Sequence, residues 1–177
     1  MIYNYRVSDI PPPKPIIMVI DDTPANLRLL AQMLAQVGYD VRVANSGEAG
    51  LRAAKSILPD LILLDVMMPD MDGYQACQEL KASEATRDIP VIFISALNQL
   101  ESKMRGFMLG GADYITKPFQ VEEVLARVRT HLDLCSLRRQ LEQANAALQK
   151  QVVELEKQNQ ELDAFAHMVA HDLKNPL

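Results

Sequence analysis

The stretch DLILLDVMMPDMDGYQACQEL, residues 60–80, decides the fold of this chain. Its aliphatic run, Leu61 to Leu64, does not alternate with polar residues. Such a run leaves no face for water, so it fits a strand of a parallel sheet that is covered on both sides. The strand closes on an acid, Asp65. The residues from Gly73 to Ala82 then read as a helix. A strand followed by a helix is a unit that can repeat along the chain.

It does repeat. Upstream lie IIMVI (16–20), the helix-like segment Pro24–Val37 stopped by Gly38, YDVRVA (39–44), and the segment Gly47–Leu58 stopped by Pro59. Downstream lie PVIFISA (90–96), a helix-like segment Gln99–Leu109 stopped by two glycines, DYIT (113–116), and a helix opening near Gln120. Five strand–helix units in this order predict an α/β fold, an open, doubly wound parallel sheet, because right-handed crossovers place helices on both faces.

In such a sheet the ligand crevice lies at the carboxyl ends of the strands. The first strand ends in Asp21-Asp22, the third in Asp65, the fourth in Ser95-Ala96, and the fifth is followed by Lys117-Pro118. Three carboxylates crowded on one rim repel one another unless a counter-ion joins them, and hard oxygen ligands beside a lysine point to magnesium. Magnesium, a lysine and a nucleophilic carboxylate together describe phosphoryl transfer, which works by positioning and charge neutralisation. No glycine-rich phosphate loop follows the first strand. The pocket is therefore built to accept a phosphoryl group and not to bind a nucleotide. Singly, each residue has a plainer reading: a helix N-cap at Asp21, Asp22 or Thr23, a solvated lysine, an edge tyrosine.

MVIDDTPANLRLL, DLILLDVMMPDMDGYQACQEL, PVIFISA and GADYITKPF together resemble the receiver domain of two-component response regulators. The resemblance implies a flavodoxin-like five-stranded sheet of order 2-1-3-4-5. It also implies that Asp65 is the phosphoacceptor, with Asp21 and Asp22 holding Mg2+ together with Asp65 and the main-chain carbonyl of Met67. Ser95 would hydrogen-bond the phosphoryl group, Lys117 would neutralise it, and Tyr114 would be the switch aromatic, turning inward as Ser95 is drawn to the phosphoryl group. Pro118 would follow a cis peptide bond. The donor would be an upstream histidine kinase or a small phosphodonor.

Beyond Leu134 the composition changes. No glycine appears, and leucine recurs at 134, 141, 148, 155 and 162, with Val169 continuing the series. A sustained seven-residue repeat is a coiled-coil signal. With these leucines at d, the a positions are Arg138, Asn145, Val152, Asn159 and Ala166, and asparagine at a favours a parallel two-stranded register. The other frame would put Leu137, Ala144, Gln151, Gln158 and Phe165 at d. No breaker separates Gln120 from Asn175, so one rod of about 80 Å is predicted at 1.5 Å per residue. A parallel homodimer follows as the expected assembly.

The last stretch, FAHMVAHDLKNPL (165–177), places His167 and His171 at i and i+4. That spacing can chelate zinc, but no HExxH glutamate accompanies it. ELDAFAHMVAHDLKNPL resembles instead the H-box of sensor histidine kinases. On that resemblance His171 is the phosphoaccepting histidine, lying at f outside the seam, with Asp172 assisting and Pro176 bending the helix. The chain would then be the N-terminal part of a response-regulator/histidine-kinase hybrid, unable by itself to bind ATP or autophosphorylate.

The expected divisions are a disordered proline-rich leader (1–15), a receiver (16–134), a coiled-coil signalling helix (135–164) and the start of a dimerisation helix (165–177). The chain has 177 residues, a formal charge of -5 and two cysteines, Cys77 and Cys135, without metal spacing. Its acidity argues against a nucleic-acid partner, and the free thiols suit a reducing compartment. No apolar run reaches the roughly 20 residues of a membrane span, so the expected location is cytoplasmic. The expected function is Mg-dependent phosphorelay signalling that controls a histidine kinase output. Its rivals are a receiver whose coiled coil docks another output partner, and a Mg-dependent phosphatase on the same fold.

Overall fold

A computed structural model describes residues 13–96 and 100–174, apart from the side chains of 100–103, 165–167 and 169–174. The elements run β1 (Ile16–Ile20), α1 (Pro24–Gln36), β2 (Asp40–Ala44), α2 (Gly47–Ile57), β3 (Leu61–Asp65), α3 (Gly73–Ala82), β4 (Val91–Ser95), α4 (Leu100–Met108), β5 (Asp113–Thr116) and α5 (Val121–Lys174). All strand pairs are parallel and the order is β2-β1-β3-β4-β5, the flavodoxin-like arrangement. The predicted elements are all present, with ends that move by one residue. Gln99 and most of the leader lie outside the described residues.

Strand periodicity divides the core. Met18, Ile20, Ile62, Leu64 and Phe93 face one side, where Leu51, Ala54, Cys77 and Leu80 of α2 and α3 cover them. Ile17, Val19, Leu61, Leu63, Ile92, Ile94 and Ile115 face the other, against Leu30 and Leu34 of α1 and Val124 and Val128 of α5. Each such aliphatic side chain contributes about 1.5–3 kcal/mol on full burial. This double covering is why β3 carries no polar alternation.

The helices end by different means. Gly38, with φ of 99°, takes the chain out of α1 in a conformation that suits glycine. α2 stops at Leu58, in the left-handed region with φ of 51°, one residue before the proline read as its breaker. α3 opens with a capping box: the Asp72 carboxylate accepts from the Gln75 amide at 2.7 Å, and the Gln75 side chain accepts from the Asp72 amide at 3.1 Å.

The chain separates into two compact units, Met1–Asp133 and Leu134–Leu177. The first holds the sheet and α1–α4. The second is helical in its described residues, and its leucines at 134, 137, 141, 148, 155 and 162 are each more than half exposed. Helix α5 passes from one unit to the other without a break.

Candidate functional site

Parallel strands deliver their carboxyl ends to one edge, and the polar residues there are those the sheet could not bury in its apolar faces. Asp21 directly follows β1, Asp65 and Ser95 are the last residues of β3 and β4, and Lys117 directly follows β5. Asp21 is 1% exposed, Asp65 3% and Ser95 is fully buried. The Lys117 ammonium donates to Asp21 Oδ2 at 3.0 Å and lies 3.0 Å from Asp65 Oδ2. One oxygen from each of Asp21, Asp22 and Asp65 falls within 4.8 Å of the others.

The balance of charge is uneven. Burial pushes the Asp65 carboxyl above the ordinary aspartate range, and the hydrogen bond and charge of Lys117 oppose that rise. For Lys117, burial alone would lower the ammonium, but its bonds to Asp65 and Asp21 prevail and raise it. Three carboxylates and one ammonium leave the edge net negative. At 4 Å two like charges repel by about 4 kcal/mol at an effective dielectric of 20. An all-oxygen donor set this closely spaced fits a hard divalent cation, since opposite ligands of octahedral Mg2+ lie about 4 Å apart. The residues present therefore fit the expected ion.

Local geometry fixes each group. Asp21 Oδ1 accepts from the Thr23 amide at 2.8 Å, and Asn26 Nδ2 donates to both Asp21 oxygens at 3.0 and 2.9 Å. Thr23 occupies the N-cap of α1 without a side-chain capping bond; its hydroxyl donates to Asp22 Oδ1 at 3.3 Å. The helix-cap reading of this stretch therefore fails for the side chains. The Met67 amide donates to Asp65 Oδ1 at 3.4 Å, which places the main chain of Met67 against the acid. The Lys117 amide donates to the Ser95 carbonyl at 2.8 Å, and the Lys117–Pro118 peptide is cis. Tyr114 is buried, with its ring 6.1 Å from that of Phe93.

Two participants were missed in the sequence. Asn26, one turn into α1, holds Asp21; the signal was an amide five residues after an acid across a helix start. Gly73 opens α3 directly against the site, where a Cβ would run into the Asp65 carbonyl oxygen and lie 2.8 Å from Val66 Cα. His171 and Asp172 belong to α5 by their backbone, but their side chains, like those of His167, lie outside the described residues, as does Pro176.

The family profile described as "Response regulator receiver domain" matches residues 17–129, well over half of the chain. The chain belongs to the response regulator receiver domain family. The receiver is 49% identical over 118 residues to the "DNA-binding dual master transcriptional regulator RpaA" of Synechocystis, covering 67% of this chain and 49% of that protein. It is 45% identical over 114 residues to "Response regulator PleD" of Caulobacter vibrioides, covering 64% and 25% respectively. The chain thus spans half or less of these relatives. Among solved structures, the signal receiver domain of a signal transduction histidine kinase from Syntrophus aciditrophicus matches with 33% identity, a TM-score of 0.63, and coverage of 67% and 90%. Among the described residues no helix is long and apolar enough to cross a membrane.

Proposed function

We propose that the receiver takes up a phosphoryl group on Asp65 and passes the change along α5 to an output domain. The observation that carries this reading is the ammonium of Lys117, placed 3.0 Å from both Asp65 and Asp21. An Asp65 carboxylate oxygen attacks the phosphorus of an acyl phosphate or a phosphohistidine, the bond from phosphorus to the donor breaks, and the donor leaves with the electron pair. Lys117 stabilises charge on the transferred group, and Ser95 offers it a hydroxyl. Asp21, Asp22, Asp65 and the Met67 carbonyl are the groups that would hold Mg2+, which when bound supplies charge neutralisation to the phosphoryl oxygens. Asn26 keeps Asp21 in place. Tyr114, beside the β5–α5 junction, is the element that responds.

For the output, the reading follows the H-box resemblance: two copies pair through the heptads of α5 and control a histidine kinase whose phosphoacceptor is His171, assisted by Asp172. The Syntrophus relative, a receiver belonging to a histidine kinase, supports this. A second reading, in which the helix serves another output, is favoured by RpaA, named a DNA-binding transcriptional regulator. The formal charge of -5 speaks against direct nucleic-acid binding by the present chain.

Incubation with a small acyl phosphate and Mg2+ tests the first step. Stoichiometric incorporation that disappears in Asp65→Asn is expected; equal labelling of that variant, or steady turnover of unrelated phosphoesters, would overturn it. Supplying a kinase ATP-binding domain and locating phosphate on His171 decides between the two outputs.

A further inference from the structure

Asp21 accepts hydrogen bonds on both of its oxygens. Oδ1 takes the Thr23 amide at 2.8 Å and Asn26 Nδ2 at 3.0 Å, and Oδ2 takes Asn26 Nδ2 at 2.9 Å and the Lys117 ammonium at 3.0 Å. An ionised carboxylate offers about four lone-pair sites, so this donor set fills them. Asp65 is held differently: Lys117 stands 3.0 Å from its Oδ2, and the Met67 amide reaches Oδ1 at 3.4 Å. The Lys117 ammonium is thus shared between the acid proposed to receive the phosphoryl group and a second acid that is 1% exposed.

We infer that Asn26 is a positioning residue for phosphoryl transfer: its amide keeps Asp21 Oδ2 hydrogen-bonded when Lys117 leaves it, and so releases the ammonium to the phosphoryl group on Asp65. The inference rests on the transfer to Asp65 proposed above and adds what lets the lysine change partners. A phosphoryl group on Asp65 brings new oxygens within reach of Lys117, and the ammonium turns to them by loosening its bond to Asp21 Oδ2. A carboxylate oxygen that loses its donor in a buried place is costly, because water does not replace the bond. Asn26 removes that cost. Its Nδ2 already lies 2.9 Å from the same Oδ2, against 3.0 Å for the lysine, and its backbone is fixed in the first turn of α1. No new donor has to be brought in. Being uncharged, the amide also supplies its bonds without repelling a divalent cation at the same edge.

The test uses the full chain and beryllofluoride, a stand-in for a phosphoryl group on a carboxylate. Titration calorimetry reads two equilibria, Mg2+ alone and beryllofluoride at saturating Mg2+. The unaltered chain should bind the mimic and Asp65→Asn should not; an unaltered chain that takes up none would overturn the transfer to Asp65 and this inference together. Asn26→Leu keeps the bulk of the side chain and removes the donor. It is expected to weaken the mimic about tenfold, or about 1.4 kcal/mol, while the dissociation constant for Mg2+ stays within about twofold. Asn26→Ala, which favours a helix, repeats the measurement should leucine disturb folding, and a loss of about threefold or more is expected from it. Unchanged binding of the mimic by a folded variant would overturn the inference and leave the transfer to Asp65 standing. A loss matched by weaker Mg2+ binding, and recovered at higher Mg2+, would overturn it too, since Asn26 would then serve only to place the metal ligands.

Discussion

Gly73 sits where the backbone of α3 is pressed against the main chain of Asp65 and Val66. A methyl group there has to displace the main chain of Asp65 and Val66, not a yielding side chain. Gly73→Ala should therefore cost about 2 kcal/mol, in the range of overpacking, and show as a lowered urea midpoint. Leu58 offers the opposite case. Its left-handed φ of 51° suits glycine, and its side chain is half exposed, so Leu58→Gly should raise stability by about 1 kcal/mol in the same measurement. The acids and Lys117 were legible in the sequence because strand ends are legible and parallel strands bring their ends together. Asn26 and Gly73 were not, because their roles depend on how closely a helix start approaches a neighbouring loop, which no periodicity records. The contact of Tyr114 with Phe93 was likewise not legible, since it depends on packing between neighbouring strands.

Between elements, the junction of β5 and α5 is held by charge. Arg127 grips both Asp113 oxygens at 2.8 Å and also reaches Glu123 at 2.9 Å, while His131 Nε2 lies 3.1 Å from Asp113 Oδ2. Burial alone would raise the Asp113 carboxyl, but the Tyr114 amide, Arg127 and His131 outweigh it and hold it below the ordinary aspartate range. A carboxyl lowered on folding stabilises the protein above the unfolded-state value and loses that contribution as pH falls through its folded value. Asp113→Asn should accordingly flatten part of the acid limb of stability against pH, measured by urea unfolding from neutral pH downward. A second set of contacts runs through the core: the Tyr74 and Phe93 rings lie 5.3 Å apart, and the Arg105 guanidinium sits 4.7 Å over Tyr74. The strand–helix alternation was readable because two-sided burial leaves unbroken aliphatic runs. This ionic and aromatic lacing was not, because its members are single residues spread over β4, β5 and three helices.

For the whole molecule, the two units should respond to different variables. Mg2+ binding only to the folded receiver should stabilise it by about 2.7 kcal/mol at a hundredfold excess over the dissociation constant, and Asp21→Asn should remove most of that gain. On the pairing of copies proposed above, the helix beyond Leu134 is stabilised by a second chain. Its far-ultraviolet circular dichroism should melt at a temperature that climbs with protein concentration, while the receiver's transition stays fixed. The composition changes beyond Leu134, where the second compact unit begins. The unbroken course of α5 has a consequence for how such a chain can be altered. Along an uninterrupted helix each residue advances the azimuth by about 100°, so direction is stored as a count of residues. Deleting one residue beyond Leu134 would shift every later residue to a different position of the seven-residue repeat, whereas inserting seven would leave each in its place.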